Sequence, residues 1–381
     1  MAAETGNDRR ADAEMAPLWN AQRRVLSLDG GGVRGVVTLA FLEAIETKLK
    51  EKTGRGDSFR LSDHFHLVGG TSTGAIIATG LATGRSVAEL RALYLDIATS
   101  IFRRSWRRIP FFQTLYGSEG VREIVVSELG DISLDDPSIR TYLAIVTKRI
   151  DTGSPWIIST LPGQPYWEDA ADGSYTGNRR YKLANIVRAS TAAPYFFAPE
   201  SIPIAGSEAG QFIDGGVSPY NSPVIPVLML ATMKRYGLAW PFGVENLSMI
   251  SIGTGQFKKT VRQERVPAIK FAVDAIQGLV DDCQDTGLML MQWLSDQSMP
   301  WQINSDILDL EGDYLGFGPA FSFQRFNIRL ERDWLKEHSG VDITDAELSG
   351  LRRMDNTAGM HELYELASAA AKTQVEKCCP L

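Results

Sequence analysis

The sequence predicts an α/β fold with a largely parallel central sheet. Three observations support this expectation: short apolar runs suit strands, most are followed by stretches with apolar residues at helical spacing, and glycine-rich loops join the two. Strands that alternate with helices are typical of a parallel sheet whose connecting helices cover its faces. At 381 residues, the chain can bury a large core.

The first half of the chain shows this alternation from its first apolar run. The segment RRVLSLD at 23–29 predicts the first strand, and apolar residues three and four apart over 33–50 predict the first helix. The further predicted elements are a strand at 66–69, a helix after Ser72, an amphipathic helix at 87–100, a hairpin-like pair of strands at 141–147 and 156–160, and a short helix at 183–190.

The second half continues the pattern with longer helices. A strand at 211–214 ends in Asp-Gly-Gly, and the sequence Thr344-Asp-Ala-Glu347 is a capping box that opens a helix. The other predicted elements are a helix at 223–236, a buried strand at 247–252, a long helix at 268–294, an alternating strand at 320–330 and a closing helix at 361–377.

We find no internal repeat and no long linker, which predicts one domain over residues 21–381. Residues 1–20 mix charged residues with alanines and have no apolar core, so we expect a disordered leader rather than a signal peptide. Residues 101–136 fall between predicted core elements, and we interpret them as an insertion or cap.

Composition bounds the class of protein. The 44% apolar and 22% charged residues are those of a soluble globular protein, and the net charge of −7 argues against a general affinity for nucleic acid. No run approaches the ~20 apolar residues of a membrane span. Cys283, Cys378 and Cys379 do not make a disulfide framework, so we expect a reducing, cytoplasmic compartment.

Ser72 stands out because it lies between glycines in Gly70-Thr-Ser-Thr-Gly74, after an apolar strand and before a helix. This arrangement predicts a nucleophile elbow, a sharp strand-to-helix turn that holds a serine hydroxyl out of the backbone. A side chain at Gly70 or Gly74 would collide with the neighbouring strand or helix. The alternative is a glycine-rich turn with a helix-capping serine.

A nucleophilic serine needs a base. His64 and His66 precede Ser72, and His338 and His361 do not follow a strand in a glycine-rich loop, so none fits the order Ser, Asp, His of α/β-hydrolases. Asp214 is a better base because it ends an apolar strand and precedes two glycines. We expect its carboxylate at the carboxyl edge of the sheet, and burial would raise its pKa. The alternative is that Asp214 only caps its own turn.

The loop Asp29-Gly30-Gly31-Gly32-Val-Arg34-Gly opens into a helix and so presents free N–H groups to an anion. In acyl transfer this anion is the tetrahedral oxyanion, and each donor contributes on the order of 3 kcal/mol to transition-state stabilisation. Arg34 could add positive charge or position the loop.

The same loop also satisfies the dinucleotide-binding pattern GxGxxG through Gly30, Gly32 and Gly35. A single match of this kind is weakly specific. We find no acidic residue that closes a second strand about twenty residues later. A dinucleotide-binding domain would also leave Ser72 and Asp214 without a role.

Taken together and in this order, the DGGGVRG loop, the GTSTG elbow and the DGG at 214–216 resemble the patatin-like phospholipase family. The stretches ASTAAPYFF at 189–197 and SIGTG at 251–255 also resemble that family, and the likeness covers roughly residues 24–255. The resemblance implies a three-layer α/β/α sandwich, so residues 21–381 are expected to form a patatin-like catalytic domain.

The resemblance further implies a Ser–Asp catalytic dyad, with Ser72 as the nucleophile and Asp214 as its base. The oxyanion hole would be the amides of Gly31 and Gly32, with Gly30 as a further donor and Arg34 beside them. The implied reaction is hydrolysis of an acyl ester in a membrane lipid through an acyl-serine intermediate. It needs no metal and no other cofactor.

The segment IFRRSWRRIPFFQTLY at 101–116 interleaves arginines with aromatic residues. Such a pattern is typical of an interfacial segment on anionic lipid, where each basic residue contributes about 1 kcal/mol. The alternative is a solvated loop whose aromatic residues pack a cap onto the core. The residues expected to contact a membrane are Arg103, Arg104, Trp106, Arg107 and Arg108.

The residues are compatible with three functions. The first is a lipid acyl hydrolase of phospholipase A or lysophospholipase type, in peripheral contact with a membrane. The second is the same chemistry in a bacterial membrane-degrading effector that a cyclic nucleotide activates in phage defence. The third is a non-catalytic lipid-binding protein, against which intact Ser72, Asp214 and the glycine loop argue.

Overall fold

A computed structural model describes residues 22–101, 118–194, 196–206, 208–258, 268–316 and 318–378. The strands are β1 (Arg23–Leu28), β2 (Leu67–Thr71), β3 (Tyr142–Arg149), β4 (Pro155–Ser159), β5 (Glu200–Ala205), β6 (Glu208–Asp214), β7 (Leu247–Ile252), β8 (Ser295–Asp296) and β9 (Phe321–Phe326). The helices are α1 (Gly35–Thr53), α2 (Thr73–Ala82), α3 (Val87–Ile101), α4 (Ser118–Leu129), α5 (Leu183–Ser190), α6 (Val224–Thr232), α7 (Ala268–Leu294), α8 (Arg332–Ser339), α9 (Asp345–Leu351) and α10 (Met360–Lys377).

The strands of the described residues form one mixed sheet in the order β5-β6-β3-β2-β1-β7-β9-β8, with β4 also paired to β3. From β3 to β8 every neighbouring pair is parallel. The antiparallel pairs are β3–β4, β3–β6 and β5–β6. The predicted α/β class, with a mostly parallel sheet, is therefore confirmed, and so is the hairpin-like pair β3–β4.

Helices cover both faces of the sheet, because successive residues of a strand point to opposite faces. On one face Leu26 of β1 packs into a core with α1, α2, α5 and α10. On the other face Val25 packs with α6 and the end of α7. Burial on both faces explains why these strands are continuous apolar runs. The expected three-layer α/β/α arrangement is confirmed.

The bounds of several predicted elements change because of their tertiary partners. The strand expected over 320–330 ends at Phe326, since its partner β7 has already ended at Ile252. The helix expected over 223–236 ends at Thr232, because Met233 is extended and 234–236 form a separate 3₁₀ turn. We did not anticipate β5, which contains a proline, and prolines are tolerated at the edge of a sheet, where β5 lies.

Part of the predicted insertion at 101–136 is helical. Helix α4 packs against α5, and Arg85 reaches Glu128 of α4 at 2.8 Å. The predicted leader at 1–20 and residues 102–117 lie outside the described residues. Over the parts that are described, no helix combines the length and the apolar character that a membrane crossing requires.

Candidate active site

Ser72 lies between the end of β2 and the start of α2, in a backbone conformation of φ 53° and ψ −120°. A non-glycine residue with positive φ is strained, and such strain persists only where the surroundings enforce it. A side chain at Gly70 would overlap the Gly74 carbonyl group, and one at Gly74 would overlap the Leu28 carbonyl group on β1. The two glycines therefore let the turn approach its neighbours closely.

The backbone of Ser72 is held by α5. Its N–H donates to Ser190 Oγ at 2.9 Å, and the Ser190 hydroxyl donates to the Val146 carbonyl of β3 at 2.6 Å. Ser190 is fully buried. Ser190 belongs to the family-like stretch at 189–197, but no sequence pattern assigns it a role, because its partners are distant in sequence.

Asp214 lies beside Ser72, and the Ser72 hydroxyl donates to Asp214 Oδ2 at 2.6 Å. The other carboxylate oxygen, Oδ1, accepts the Gly216 N–H at 2.7 Å. One carboxylate oxygen of Asp214 therefore caps the turn, as the alternative interpretation expected, and the other accepts the hydrogen bond from Ser72. The same side chain makes both contacts.

The sequence predicted the Asp214 carboxylate at the carboxyl edge of the sheet and left the direction of its strand open. Strand β6 runs antiparallel to β3, and Asp214 pairs with Thr147 near the end of β3. Asp214 therefore approaches the carboxyl edge of the parallel strands from the opposite direction, and it meets Ser72 there.

Asp214 is buried, and its burial determines the pKa of its carboxyl group. Only 4% of the residue is exposed, and this burial raises the pKa of its carboxyl group to about 6. The hydrogen bonds from Ser72 and Gly216 and the positive charge of Arg188 oppose this increase. Arg188 on α5 is itself buried, donates to the Ala198 carbonyl at 3.1 Å and lies over the Phe197 ring.

The glycine loop lies next to Ser72 at the end of β1. Among the described residues, the N–H groups of Gly31 and Gly32 have no acceptor, whereas the Gly30 N–H donates to the Asn221 carbonyl at 3.0 Å. The Gly32 carbonyl accepts hydrogen bonds from Thr73 Oγ1, at 2.8 Å, and from the Tyr94 hydroxyl. Two amides of the loop therefore have no protein acceptor among the described residues, and the third donates to the Asn221 carbonyl.

Residues from the second half of the chain hold this loop in place. Arg325 on β9 pairs with Asp29 at 2.5 Å and donates to Ser251 Oγ at 2.6 Å, and both members of the ion pair are buried. The Val33 N–H donates to the Met354 carbonyl at 2.9 Å. Arg325 and Met354 could not be predicted as partners of the loop, because no local sequence pattern links them to it.

Arg34 is buried and its guanidinium faces the loop after β7. It donates to the Gly255 carbonyl at 3.3 Å and lies 5.6 Å from the centre of the Phe257 ring. Burial lowers the pKa of Arg34 to about 10. Of the two roles considered for Arg34, these contacts favour positioning of the loop.

The histidines lie away from the serine. His64 and His66 precede β2, and burial lowers the pKa of each, to about 3 and about 4. His338 stacks on Trp334 in α8. No histidine among the described residues is hydrogen-bonded to Ser72. The group that accepts the hydrogen bond from the Ser72 hydroxyl is the Asp214 carboxylate.

Two further expectations concern ligands. Within the described residues, no group of three or more His, Cys, Asp and Glu side chains is arranged to hold a metal ion. The residues expected to contact a membrane lie outside the described residues; they are Arg103, Arg104, Trp106, Arg107 and Arg108. Their role stays a prediction.

Comparison with known proteins places this site in a family context. A family model described as "Patatin-like phospholipase" matches residues 26–228, which include Ser72 and Asp214. A protein of Escherichia coli named "cGAMP-activated phospholipase" is 34% identical over 54% of this chain, and one of the same name from Vibrio cholerae is 35% identical over 54%. "Patatin-like protein 1" of Arabidopsis thaliana is 28% identical over 68% of this chain and 64% of its own length. The alignments with the two bacterial proteins cover 55% and 56% of their lengths, so the chain spans about half of each.

Proposed function

Because the chain belongs to the patatin-like phospholipase family, we propose that it is a lipid acyl hydrolase that cleaves carboxylic esters of membrane lipids. One observation carries the proposal: the Ser72 hydroxyl donates to Asp214 Oδ2 at 2.6 Å, on an elbow whose strained backbone holds the hydroxyl out of the chain. This is the contact that a serine nucleophile needs with its base.

In the acylation step, Ser72 Oγ attacks the ester carbonyl carbon as its proton passes to Asp214. The carbonyl oxygen becomes an anion, which the unpaired N–H groups of Gly31 and Gly32 stabilise. When the tetrahedral intermediate collapses, the bond to the alcohol breaks and the alcohol oxygen takes the proton from Asp214. The acyl group remains on Ser72.

In the deacylation step, water attacks the acyl carbon and Asp214 takes a proton from it. Collapse of the second intermediate breaks the bond to Ser72 Oγ, which recovers the proton, and the fatty acid leaves. Burial supports the role of Asp214, because a carboxyl pKa of about 6 makes it a stronger base than an ordinary aspartate.

The loop residues divide between binding and support in this mechanism. We assign the oxyanion hole to Gly31 and Gly32. Gly30 supports the loop, since its N–H donates to Asn221, and Arg34 ties the loop to Gly255. The chemistry runs on side chains and backbone of this chain and employs no cofactor.

The test is fatty-acid release from mixed phospholipid vesicles by Ser72→Ala and Asp214→Asn. We expect each change to lower the rate at least about 1000-fold, since each removes a group that acts in bond making. Ser295→Ala, which loses a buried hydroxyl remote from the site, is the matched control. Circular dichroism would establish that the variants fold. Full activity in either active-site variant would rule out the dyad.

The names of the bacterial relatives favour a second function, the same hydrolysis under the control of a cyclic dinucleotide. In this case cGAMP would increase fatty-acid release by the wild-type protein and leave Ser72→Ala inactive. Equal release with and without cGAMP would exclude that control. The non-catalytic alternative would require that a fluorophosphonate probe fail to label Ser72 in the folded protein.

Membrane contact through the segment 101–116 belongs to the same proposal, since the substrate lies in a lipid surface. Its net positive charge suits anionic vesicles, with about 1 kcal/mol for each basic residue near the surface. Vesicle sedimentation would measure it. The variant changes four residues to alanine: Arg103, Arg104, Arg107 and Arg108. Unchanged binding would contradict the assignment.

A further inference from the structure

Asn221 meets the active site through three separate groups. Its backbone carbonyl accepts the Gly30 N–H at 3.0 Å. Its side-chain Nδ2 donates to Gln284 Oε1 on α7 at 3.0 Å and lies 3.5 Å from the Gly30 carbonyl oxygen. The side-chain NH₂ group can only donate, so it must be the end of the amide that faces these two oxygen atoms. This fixes the orientation of the amide. The side-chain oxygen, Oδ1, therefore points away from these two acceptors.

The positions of neighbouring glycines locate Oδ1. A Cβ atom added to Gly216 would lie 3.0 Å from Asn221 Oδ1 and 3.0 Å from Asp214 Oδ1. A Cβ atom added to Gly30 would overlap Asn221 Oδ1 and lie 3.2 Å from Ser72 Cβ. The amide oxygen therefore lies close to Ser72 and to Asp214 Oδ1, the carboxylate oxygen that accepts the Gly216 N–H.

This oxygen has spare acceptor capacity. No donor among the described side chains or backbone groups is hydrogen-bonded to Asn221 Oδ1, although the residue is half-buried. Asn221 Oδ1 is not among the buried unpartnered atoms of the described residues, so it is accessible to solvent and can accept a hydrogen bond from a water molecule. Ser72 cannot supply the donor, because its hydroxyl proton is directed at Asp214.

The deacylation step of the proposed mechanism contains a ligand of this kind. The attacking water has two O–H bonds, and Asp214 can accept only the one that is broken. The second O–H needs its own acceptor if the oxygen lone pair is to point at the acyl carbon. In a histidine-free dyad, no imidazole is present to share this orienting task.

We propose that Asn221 Oδ1 accepts the second O–H of the water that hydrolyses the acyl-Ser72 intermediate. The water oxygen forms its bond to the acyl carbon, one proton passes to Asp214, and the other stays on the new carboxyl group, hydrogen-bonded to Asn221. The bond from the acyl carbon to Ser72 Oγ then breaks, and Oγ takes the proton from Asp214. This inference rests on the proposed function of the dyad, and it makes Asn221 a catalytic residue of deacylation.

A catalytic role of Asn221 Oδ1 and a structural role of Asn221 predict different effects on the two steps of the reaction. A structural role would act through the backbone carbonyl, which every side-chain variant keeps, or through Nδ2 and its partner Gln284. A catalytic role of Oδ1 would slow deacylation and leave acylation almost unchanged. The two steps are separable with an ester whose alcohol is coloured.

The experiment uses p-nitrophenyl butyrate in stopped flow, with p-nitrophenol release as the signal. In Asn221→Ala we expect the steady-state rate to fall about 10-fold, near the upper end of the loss that one hydrogen bond between neutral groups causes. The rate constant of the initial burst, which reports acylation, should stay within about threefold of the wild type, as should labelling of Ser72 by a fluorophosphonate. Asn221→Ser, which keeps an oxygen acceptor, should recover part of the steady-state rate.

Two further variants separate the outcomes. Asn246→Ala removes an exposed turn amide at the other end of the sheet and is the matched control for unchanged kinetics. Gln284→Ala removes the partner of Nδ2. An equal loss in Gln284→Ala and Asn221→Ala, or a parallel loss of burst and steady-state rates in Asn221→Ala, would overturn the inference. If the wild type hydrolyses no ester and its Ser72 is not labelled, the proposed function itself fails.

Discussion

At the scale of single residues, the Asp214 carboxylate is subject to opposing influences. Burial disfavours its charge, while the Ser72 hydroxyl, the Gly216 N–H and the Arg188 cation favour it. Burial is the largest of these influences, so the net effect is a pKa raised to about 6. Activity and stability should therefore both depend on pH through this one group.

Activity should fall in acid as Asp214 takes up a proton. Only the ionised carboxylate can accept the Ser72 proton, so kcat/KM should be half-maximal near pH 6, tenfold lower for each pH unit below it, and level above it. The charged group that acts on Asp214 is Arg188 on α5, and Arg188 in turn interacts with Glu200 on β5. The measurement is a pH profile with a soluble ester. A midpoint near pH 4, the value for an ordinary aspartate, would contradict the buried base.

The free energy of unfolding should change with pH in the opposite direction to kcat/KM. Because the pKa of Asp214 is higher in the folded protein than the ordinary value of 3.8, ionisation opposes folding above pH 6, and this effect vanishes below pH 3.8. Asp214→Asn removes the charge and should raise the free energy of unfolding by up to about 3 kcal/mol at pH 8, with a difference near zero at pH 4. Urea denaturation at several pH values measures it. A difference independent of pH would disprove the link to this carboxylate.

At the scale of elements, the elbow depends on close contact between β1, β2 and α2. Gly70 and Gly74 occupy positions where a methyl group would overlap backbone carbonyl groups, which cannot move away as a flexible side chain can. Strand β6 and helix α5 then complete the site, since one supplies Asp214 and the other supplies Ser190. The site therefore depends on how these five elements meet, more than on any one of them.

Gly70→Ala and Gly74→Ala should each displace the elbow, with a loss of activity of at least about 100-fold and a lower free energy of unfolding by about 1–3 kcal/mol. Gly278→Ala is the matched control, because a methyl group at that position of α7 meets open space. It should leave activity unchanged and stabilise the helix by up to about 1 kcal/mol. Initial rates and urea denaturation give both quantities. Equal effects in the three variants would refute the steric argument.

At the scale of the whole molecule, the second half of the chain supports a loop at its beginning. Thr254 Oγ1 donates to the Gly30 carbonyl at 3.0 Å, Arg325 pairs with Asp29, and Met354 accepts the Val33 N–H. All three supporting residues lie beyond the region 26–228 that the family model matches. The catalytic geometry therefore depends on parts of the chain outside that region.

The buried ion pair allows a test of this dependence. Asp29→Asn or Arg325→Met alone leaves one buried charge unpaired, which should cost about 3–5 kcal/mol of unfolding free energy, while the double variant should recover at least about 2 kcal/mol. Each single variant should also lower kcat more than it raises KM, since it loosens the oxyanion loop. The control is Arg332→Ala, which breaks an exposed pair with Asp345 and should cost less than about 1 kcal/mol. Additive effects of the two single changes would disprove the coupling.

Local patterns were sufficient for much of this description. The α/β class, the hairpin β3–β4, the helices at 183–190 and 268–294 and the strand–serine–helix order around Ser72 follow from apolar periodicity and glycine placement, which act over a few residues. The choice of Asp214 also came from its place at the end of an apolar strand. The direction of that strand, antiparallel to β3, could not be predicted from the sequence, because the strand pairing is set by residues distant along the chain.

By itself, the sequence determined which residues have the chemistry of a serine hydrolase and on which kind of element each lies. Only the tertiary structure decided how they meet: Ser72 with Asp214 at 2.6 Å, Gly30 with Asn221, and Asp29 with Arg325. These contacts join residues from 142 to 296 positions apart, so no short-range pattern encodes them. The strand order and direction of the sheet bring them together, and packing of apolar residues on both faces sets that order.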